Sequence, residues 1–598
     1  MTCSNLIATG SAGYSGDEER DGPGVDPPAG CKRQMIRCLD DADFDELPEY
    51  DLCIIGSGPA GATVARELGG RGLRIAVLES GGRRPSPLGD RLRRVKSEGL
   101  QVKEHSRERT LGGASTTWAG LSAPLDPIDL APRPWDGITG WPIPKKDLLA
   151  WYERASERYH FPPLGAFGVE GREGMAGIRA RGEVQPSWER LEEKVFLAAD
   201  PAPDFGVEWP EAYEVAQLDV WLDATLLELE GEGDSRRVTR ARVRSSSGHV
   251  RWVPARHFVL AAGGIENARV LLLSRSLWPT GLGNGRDQVG RCMMNHPKAY
   301  WGIVRFRHPV SELPYYFGCL HQGFAGYAGL RLREEEQRRL AMLNSYLRLE
   351  PIFPWTDDEG VESIVMLAKR TRGLLSAWKA RRRDDIVELL DWSETGDDSG
   401  LQNARRGLRG TLALTVTALL HAPRVLQYLY FRLSRARPMV RAARVRCFME
   451  MAPDPENRVV LSDERDEYDQ PLPLVRHRPG TRDRRSLVEL HAALDEELRR
   501  NGIGLHDGRL EDRDPWPIGQ DASHHMGTTR MGTDPKRSVV NPDLRLHEVE
   551  NVYLAGASVF PTGGCANPTY TIVALSIRLA DHLAREVYEL EGPLQGAR

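Results

Sequence analysis

The sequence predicts an α/β chain, and two stretches carry the prediction. From Tyr50 to Ser80 it reads YDLCIIGSGPAGATVARELGGRGLRIAVLES: an apolar run from Leu52 to Ile55, a glycine turn, an Ala-rich helical stretch, and a second apolar run from Ile75 to Leu78 that stops at Glu79. Phe258 to Ser274, FVLAAGGIENARVLLLS, repeats that grammar two hundred residues later. Short apolar strands alternating with helices are the pattern of a parallel sheet covered on its faces. At 598 residues the chain is too long for one ordinary core, so two domains, or one with a substantial insert, are expected.

The first stretch has a chemical reading. In Gly56-Ser57-Gly58-Pro-Ala-Gly61, Gly56 permits a tight turn, Gly58 removes a Cβ so that backbone can approach a pyrophosphate, and Gly61 lets the helix pack closely on the strand. Phosphates then meet free N–H groups at the helix N-terminus. Glu79 ends the second strand where a carboxylate can accept both ribose hydroxyls, which disfavours a 2'-phosphate. Dinucleotide binding follows; the residues alone leave FAD and NAD both open.

Three further clusters add to it. Thr110 to Gly120, TLGGASTTWAG, is a small-residue loop in which Gly112 and Gly113 allow close approach to a flat ligand, and the hydroxyls of Ser115 and Thr116 can bond phosphate or ring heteroatoms; a Gly/Ser solvent loop is the alternative. Near the second strand–turn–helix unit, Asn295-His296-Pro297 sets a histidine in a turn, where a structural role is the ordinary one. Ser523 to Gly532, SHHMGTTRMG, precedes a strand (Val552 to Leu554), a turn at Gly556-Ala557, and a loop with Asn567-Pro568 leading into an Ala/Leu helix. Neutral imidazole suits removal of an alcohol proton while hydride leaves carbon, and an amide such as that of Asn567 can hold the substrate oxygen.

Composition narrows the rest. Hydrophobic residues make up 40% and charged residues 28%, as in soluble globular chains, and the net charge of −5 gives no overall field that would attract nucleic acid or an anionic membrane. The eight cysteines form no CxxC and no zinc spacing, which fits a reducing cytoplasm and no metal. Residues 1–45, rich in Gly, Asp and Pro, lack the apolar stretch of a signal peptide and read as a mobile tail. Thr411 to Phe431 is apolar but broken by His421, Pro423 and Arg424, too short to span a membrane, so two helices buried against the body are expected.

Taken together the motifs resemble the glucose–methanol–choline (GMC) flavoprotein oxidoreductases. The matching segments begin at Gly56, Gly112 (GGASTTWAG), Ala261 (AAGGIENARVLL), Asp287 (DQVGRCMMNHP), Pro453 (PDPENRVVLSDERD), His524 (HHMGTTRMG) and Leu554 (LAGASVFPTGGCANPTYTIVALSIRLADHL), in family order. Ala566-Asn567-Pro568-Thr569 resembles pyranose 2-oxidase and bacterial sugar dehydrogenases, whereas glucose oxidase carries a second histidine where Asn567 stands. The resemblance implies a Rossmann-like FAD-binding domain from residues 46–130, 215–300 and 515–590. A discontinuous sheet-plus-helix substrate domain would come from 131–214 and 301–514, with a helical insert at about 330–445. It implies His524 as base, with His525 the runner-up, and Asn567 as its partner. The FAD site would comprise Gly56, Ser57, Gly58, Gly61, Glu79, Gly112, Gly113, Ser115, Leu226 (backbone to adenine), Ala262, Gly556, Ala557, Asn567, Pro568 and Thr569. Pyranose 2-oxidase links its flavin through the histidine of a Ser-Thr-His-Trp motif; Ser115-Thr116-Thr117-Trp118 lacks it, so FAD is expected to be non-covalent. The implied activity is oxidation of a sugar, glycoside or amino-sugar alcohol, an aminoglycoside intermediate being one specific case, to aldehyde or ketone, with oxygen, a quinone or a protein as acceptor and the oligomeric state open. Asp384, Asp385, Glu388 and the acids of 394–398 would suit a cationic substrate. A redox-neutral lyase on the same fold, a non-sugar alcohol oxidase and a non-catalytic flavoprotein are the alternatives.

Overall fold

Strand Tyr50–Ile55 is the organising element. It pairs in parallel with Ile75–Leu78 on one side and with Val250–Leu260 on the other, and the paired segments Leu52–Ile55, Ile75–Leu78 and Phe258–Leu260 are apolar and buried because both faces are covered. The computed structural model describes residues 36–42, 45–168, 186–199, 202–209, 212–233, 235–310, 319–321, 324–370, 407–434 and 439–592. The first sheet continues outward through Leu218–Leu222 to Ile36–Cys38, and Val552–Leu554 joins it in parallel beside Phe258 to Leu260. This is the expected α/β, Rossmann-like layer. Helix Pro59–Leu68 enters directly from the glycine turn, with Pro at its first position, where the missing N–H costs nothing. Ile36–Cys38 departs from the expected tail: Ile36 pairs with Val220 and Cys38 with Leu222, so the sheet edge captures the chain before residue 45. Most of that expected tail lies outside the described residues.

A second eight-stranded sheet runs Gly504–Asp507, Lys298–Val310, Val440–Phe448, Tyr346–Pro351, Phe324–Leu332, Leu191–Ala198 and Leu121–Ser122, with Cys319–His321 paired to Phe324–Leu332. Its pairings are antiparallel. Strand Tyr346–Pro351 falls inside the expected insert of about 330–445 and Val440–Phe448 begins inside it, so the inserted part is narrower and lies between 351 and 440. Among the described residues it contains helices Glu359–Arg370, Gly407–Leu420 and Ala422–Leu433, which share a small core of Trp355, Val361, Ala418, Val425 and Tyr428 separate from the main one. The two later helices were expected to be buried against the body; instead their outer faces are exposed. No helix among the described residues is long and apolar enough to cross a membrane.

Candidate active site

The glycine turn takes its shape from contacts a side chain would forbid. Gly56 has φ of +102°, and a Cβ there would lie 2.6 Å from the Ala261 carbonyl oxygen; at Gly61 it would lie 1.9 Å from that of Gly56. Gly58 is different. Its φ of −66° suits any residue, and a Cβ would come no closer than 3.9 Å to protein atoms, so the space it keeps clear belongs to the cavity. Glu79 ties the turn together: its carboxylate accepts from Ser57 Oγ at 2.6 Å, Ser57 N at 3.2 Å and Gly81 N at 2.9 Å. Burial outweighs these bonds and raises its pKa. Ser57 Oγ in turn accepts from Gly112 N at 3.1 Å, which fastens the second cluster onto the first.

In that second cluster the hydroxyls turn inward. Ser115 Oγ donates to the Gly112 carbonyl at 2.6 Å and accepts from Phe205 N at 3.0 Å, and Thr116 Oγ1 donates to the Gly113 carbonyl at 2.9 Å. Their protons therefore shape the loop, a correction to the expectation that they point at a ligand; only lone pairs remain for one. The third cluster is a fastener as well. Asn267 accepts from Ala262 N at 2.8 Å and donates to the Ala555 carbonyl at 3.0 Å and to Ser558 Oγ at 2.9 Å, joining the 261–264 turn to the last strand. Nothing in the sequence set Asn267 apart from its helix.

A cavity of about 710 Å³ runs between the two sheets. Gly56, Ser57, Gly58, Glu79, Gly113, Ser115, Leu226, Ala262, Gly556, Ala557, Asn567, Pro568, Thr569 and His524 all line it. Gly61 and Gly112 do not; they hold the turn and the loop from behind. Gly263 and Gly556, both at positive φ, have no atom within 4 Å of where a Cβ would stand. The N-termini of Pro59–Leu68 and Thr569–His582 both reach the cavity and leave N–H groups unspent. A long, glycine-lined cradle with two helix N-termini and a ribose-height carboxylate fits a flavin dinucleotide.

His524 stands in its wall. His524 is half-buried and borders the cavity. Its Nδ1 is 2.9 Å from Nδ1 of His296, and its Nε2 is 3.4 Å from Nδ2 of Asn567. An amide nitrogen can only donate, so Nε2 is the acceptor and Nδ1 carries the proton, given to His296. His296 is buried, and its own Nε2 lies against Gly563. The burial of His524 lowers its pKa well below the ordinary imidazole value, and His296 and Lys298 push the same way; burial brings His296 to about 4. His525 also borders the cavity, but its Nε2 is engaged by Asp521 at 3.2 Å. Burial alone would raise Asp521, but His525, Asn295 and the Lys103 N–H hold it far below the usual carboxylate range. The turn histidine His296 is thus part of the site, and only the fold, which sets residue 296 beside 524, could reveal it.

Behind the Asn567 loop, Glu450 receives Arg133 through two bonds of 3.0 and 2.7 Å and Gly564 N at 3.2 Å, with both side chains essentially inaccessible. The acids Asp384, Asp385, Glu388 and 394–398 lie outside the described residues.

Residues 453–576 match the family model described as GMC oxidoreductase. Residues 453–576 therefore form a GMC oxidoreductase domain. That family is FAD-dependent, and the protein is an enzyme. A 6'''-hydroxyparomomycin C oxidase of Streptomyces lividus is 25% identical across 90% of this chain and 92% of its own. The fructose dehydrogenase large subunit of Gluconobacter japonicus is 27% identical over 56% of this chain and 48% of its own, and a paromamine 6'-oxidase of Streptomyces fradiae is 32% identical over 26% and 28%.

Proposed function

We propose that this GMC oxidoreductase oxidises an alcohol of a sugar, glycoside or amino sugar, with His524 as the base, Asn567 as the oxygen-holding donor and FAD held without a covalent bond. The observation that carries it is the His524–Asn567 pair opening into the same cavity as the Gly56–Gly58 turn and Glu79. When bound, FAD supplies the hydride acceptor. The substrate hydroxyl enters between the two side chains: Asn567 donates its amide N–H to the oxygen, and His524 Nε2 takes the proton. His296 accepts from His524 Nδ1, which keeps Nε2 bare while the base waits. The depressed pKa of His524 keeps the ring neutral throughout the physiological range, so it is ready to accept. The second sheet covers the reacting end and excludes water; Phe448 and Lys298 line the cavity from that sheet.

The charge of Lys298 close to His524 favours a neutral sugar hydroxyl at the reacting end. The similarity to a 6'''-hydroxyparomomycin C oxidase over 90% of the chain supports an amino sugar whose amines stay away from it. Turnover assays with neutral pyranosides, C-glycosides and aminoglycosides, with product identified by mass spectrometry, separate the two. An aldehyde or ketone two mass units lighter from either class is expected; no oxidised product from any member would count against the reading.

A further inference from the structure

Eleven large apolar side chains are exposed among the described residues, and eight of them fall between Leu412 and Met439. They belong chiefly to the inserted helices Gly407–Leu420 and Ala422–Leu433. Each helix has an inner apolar face: Ala418, Val425 and Tyr428 pack on Trp355 and Val361. Each also has an outer one. Leu412, Val416 and Leu419 follow one another at spacings of four and three, with Leu420 beside them, at 47 to 78% exposure. Leu426, Tyr430 and Leu433 repeat that spacing on the second helix at 53 to 65%. A surface helix ordinarily carries its charges there. A contiguous apolar patch left open marks a surface that something covers.

The charge around the patch indicates what. From Gly407 to Leu433, the two helices themselves, the sequence contains Arg409, Arg424 and Arg432 and no Asp or Glu, although the whole chain has a net charge of −5. Arg424 is exposed and donates to the neutral amide oxygen of Gln427 at 3.1 Å. Apolar stripes bordered by arginine are complementary to anionic lipid headgroups over acyl chains. Helices of 14 and 12 residues are too short to span a bilayer and suited to lying in its surface.

We propose that residues 407–433 dock the enzyme on an anionic lipid surface, the outer leucines entering the headgroup–acyl boundary and the arginines meeting phosphates. The test is flotation of the full FAD-loaded chain with vesicles of phosphatidylcholine alone and with about one third phosphatidylglycerol. The wild type is expected to float with the anionic vesicles about tenfold more than with neutral ones, and to be released by salt. Leu419→Glu/Leu426→Glu should lose flotation by about tenfold or more while retaining flavin and melting temperature. Because the lipid dependence is read on the wild type, failure of the variant to fold does not remove the test. A wild type that stays at the bottom with both vesicles overturns the proposal. So does flotation unchanged by the double variant, or a wild-type dimer in sedimentation that the variant dissociates without any flotation.

Discussion

Replacing His296 by Leu should disable the base without removing it. Leu fills most of the imidazole volume but cannot accept the proton on His524 Nδ1, now 2.9 Å from nothing that can bond it. A buried donor left unpaired costs about 1–3 kcal/mol. The ring can escape that cost by moving its proton to Nε2, the atom that must stay bare. Either way the competent form is penalised by that amount, a loss of about 5- to 150-fold in the rate of flavin reduction. Substrate affinity should change little, because His296 is buried behind His524. His296→Asn is the control: its Oδ1 can accept in place of Nδ1, and should restore the rate to within about fivefold of wild type. The assay is anaerobic stopped-flow reduction across a range of substrate concentrations, which separates affinity from rate. A Leu variant within about threefold of wild type, or Leu and Asn variants equally slow, would refute the tautomer argument.

Other consequences follow from the same structure. Gly58→Ala should leave the melting temperature of the apo-protein unchanged yet weaken FAD about tenfold or more, since its Cβ meets only the cavity, whereas Gly61→Ala should damage both; equal behaviour of the two would contradict the cradle. Arg133→Met leaves Glu450 buried and uncompensated and should cost about 3–5 kcal/mol by chemical denaturation, with Arg133→Met/Glu450→Gln less damaging than the single change; a single variant as stable as wild type would count against it. Burial lowers His477 to about 4 and His491 to about 3. Folded pKa values below the unfolded one mean that stability is present above pH 6.5 and lost as pH falls, by about 2 kcal/mol for each at pH 5. Urea titrations at pH 7.5 and pH 5 should show it, and His491→Leu should reduce the difference between the two pH values by about 2 kcal/mol; an unchanged difference would sink the assignment.

Much of the fold was legible because the deciding signals are local. The strand, the turn at Gly56 and the helix after it lie within thirty residues, and the constraint on Gly61 comes from Gly56 in that same stretch, although the one on Gly56 comes from the distant Ala261 carbonyl. The same holds for the turn at Gly556 and the loop at Asn567. What the sequence hid is pairing at a distance. Ile36–Cys38 reads as tail because its partner, Leu218–Leu222, is 180 residues away. His296 reads as a turn histidine until the fold sets it on His524, and Asn267 as a helix residue until it meets Ala555. The hydroxyls of Ser115 and Thr116 misled for a related reason: a small polar residue next to glycine can satisfy its own loop, and there is no local signal that says which way it turns. The pattern of Thr411 to Phe431 gave two helices, but an apolar stripe does not reveal whether protein lies against it.

The account rests on His524 as the group that takes the alcohol proton, and the most direct test is single-turnover bleaching of the oxidised-flavin absorbance by a substrate alcohol under anaerobic conditions. Wild type and His524→Ala would be compared from pH 5 to pH 9, both carrying stoichiometric flavin. The account predicts rapid bleaching by the wild type that stays level down to below pH 6, because the His524 pKa lies well under its ordinary value, and a loss of about 100-fold or more in the variant. A variant that bleaches at the wild-type rate, or a wild type whose rate falls along a titration centred near 6.5, would contradict it.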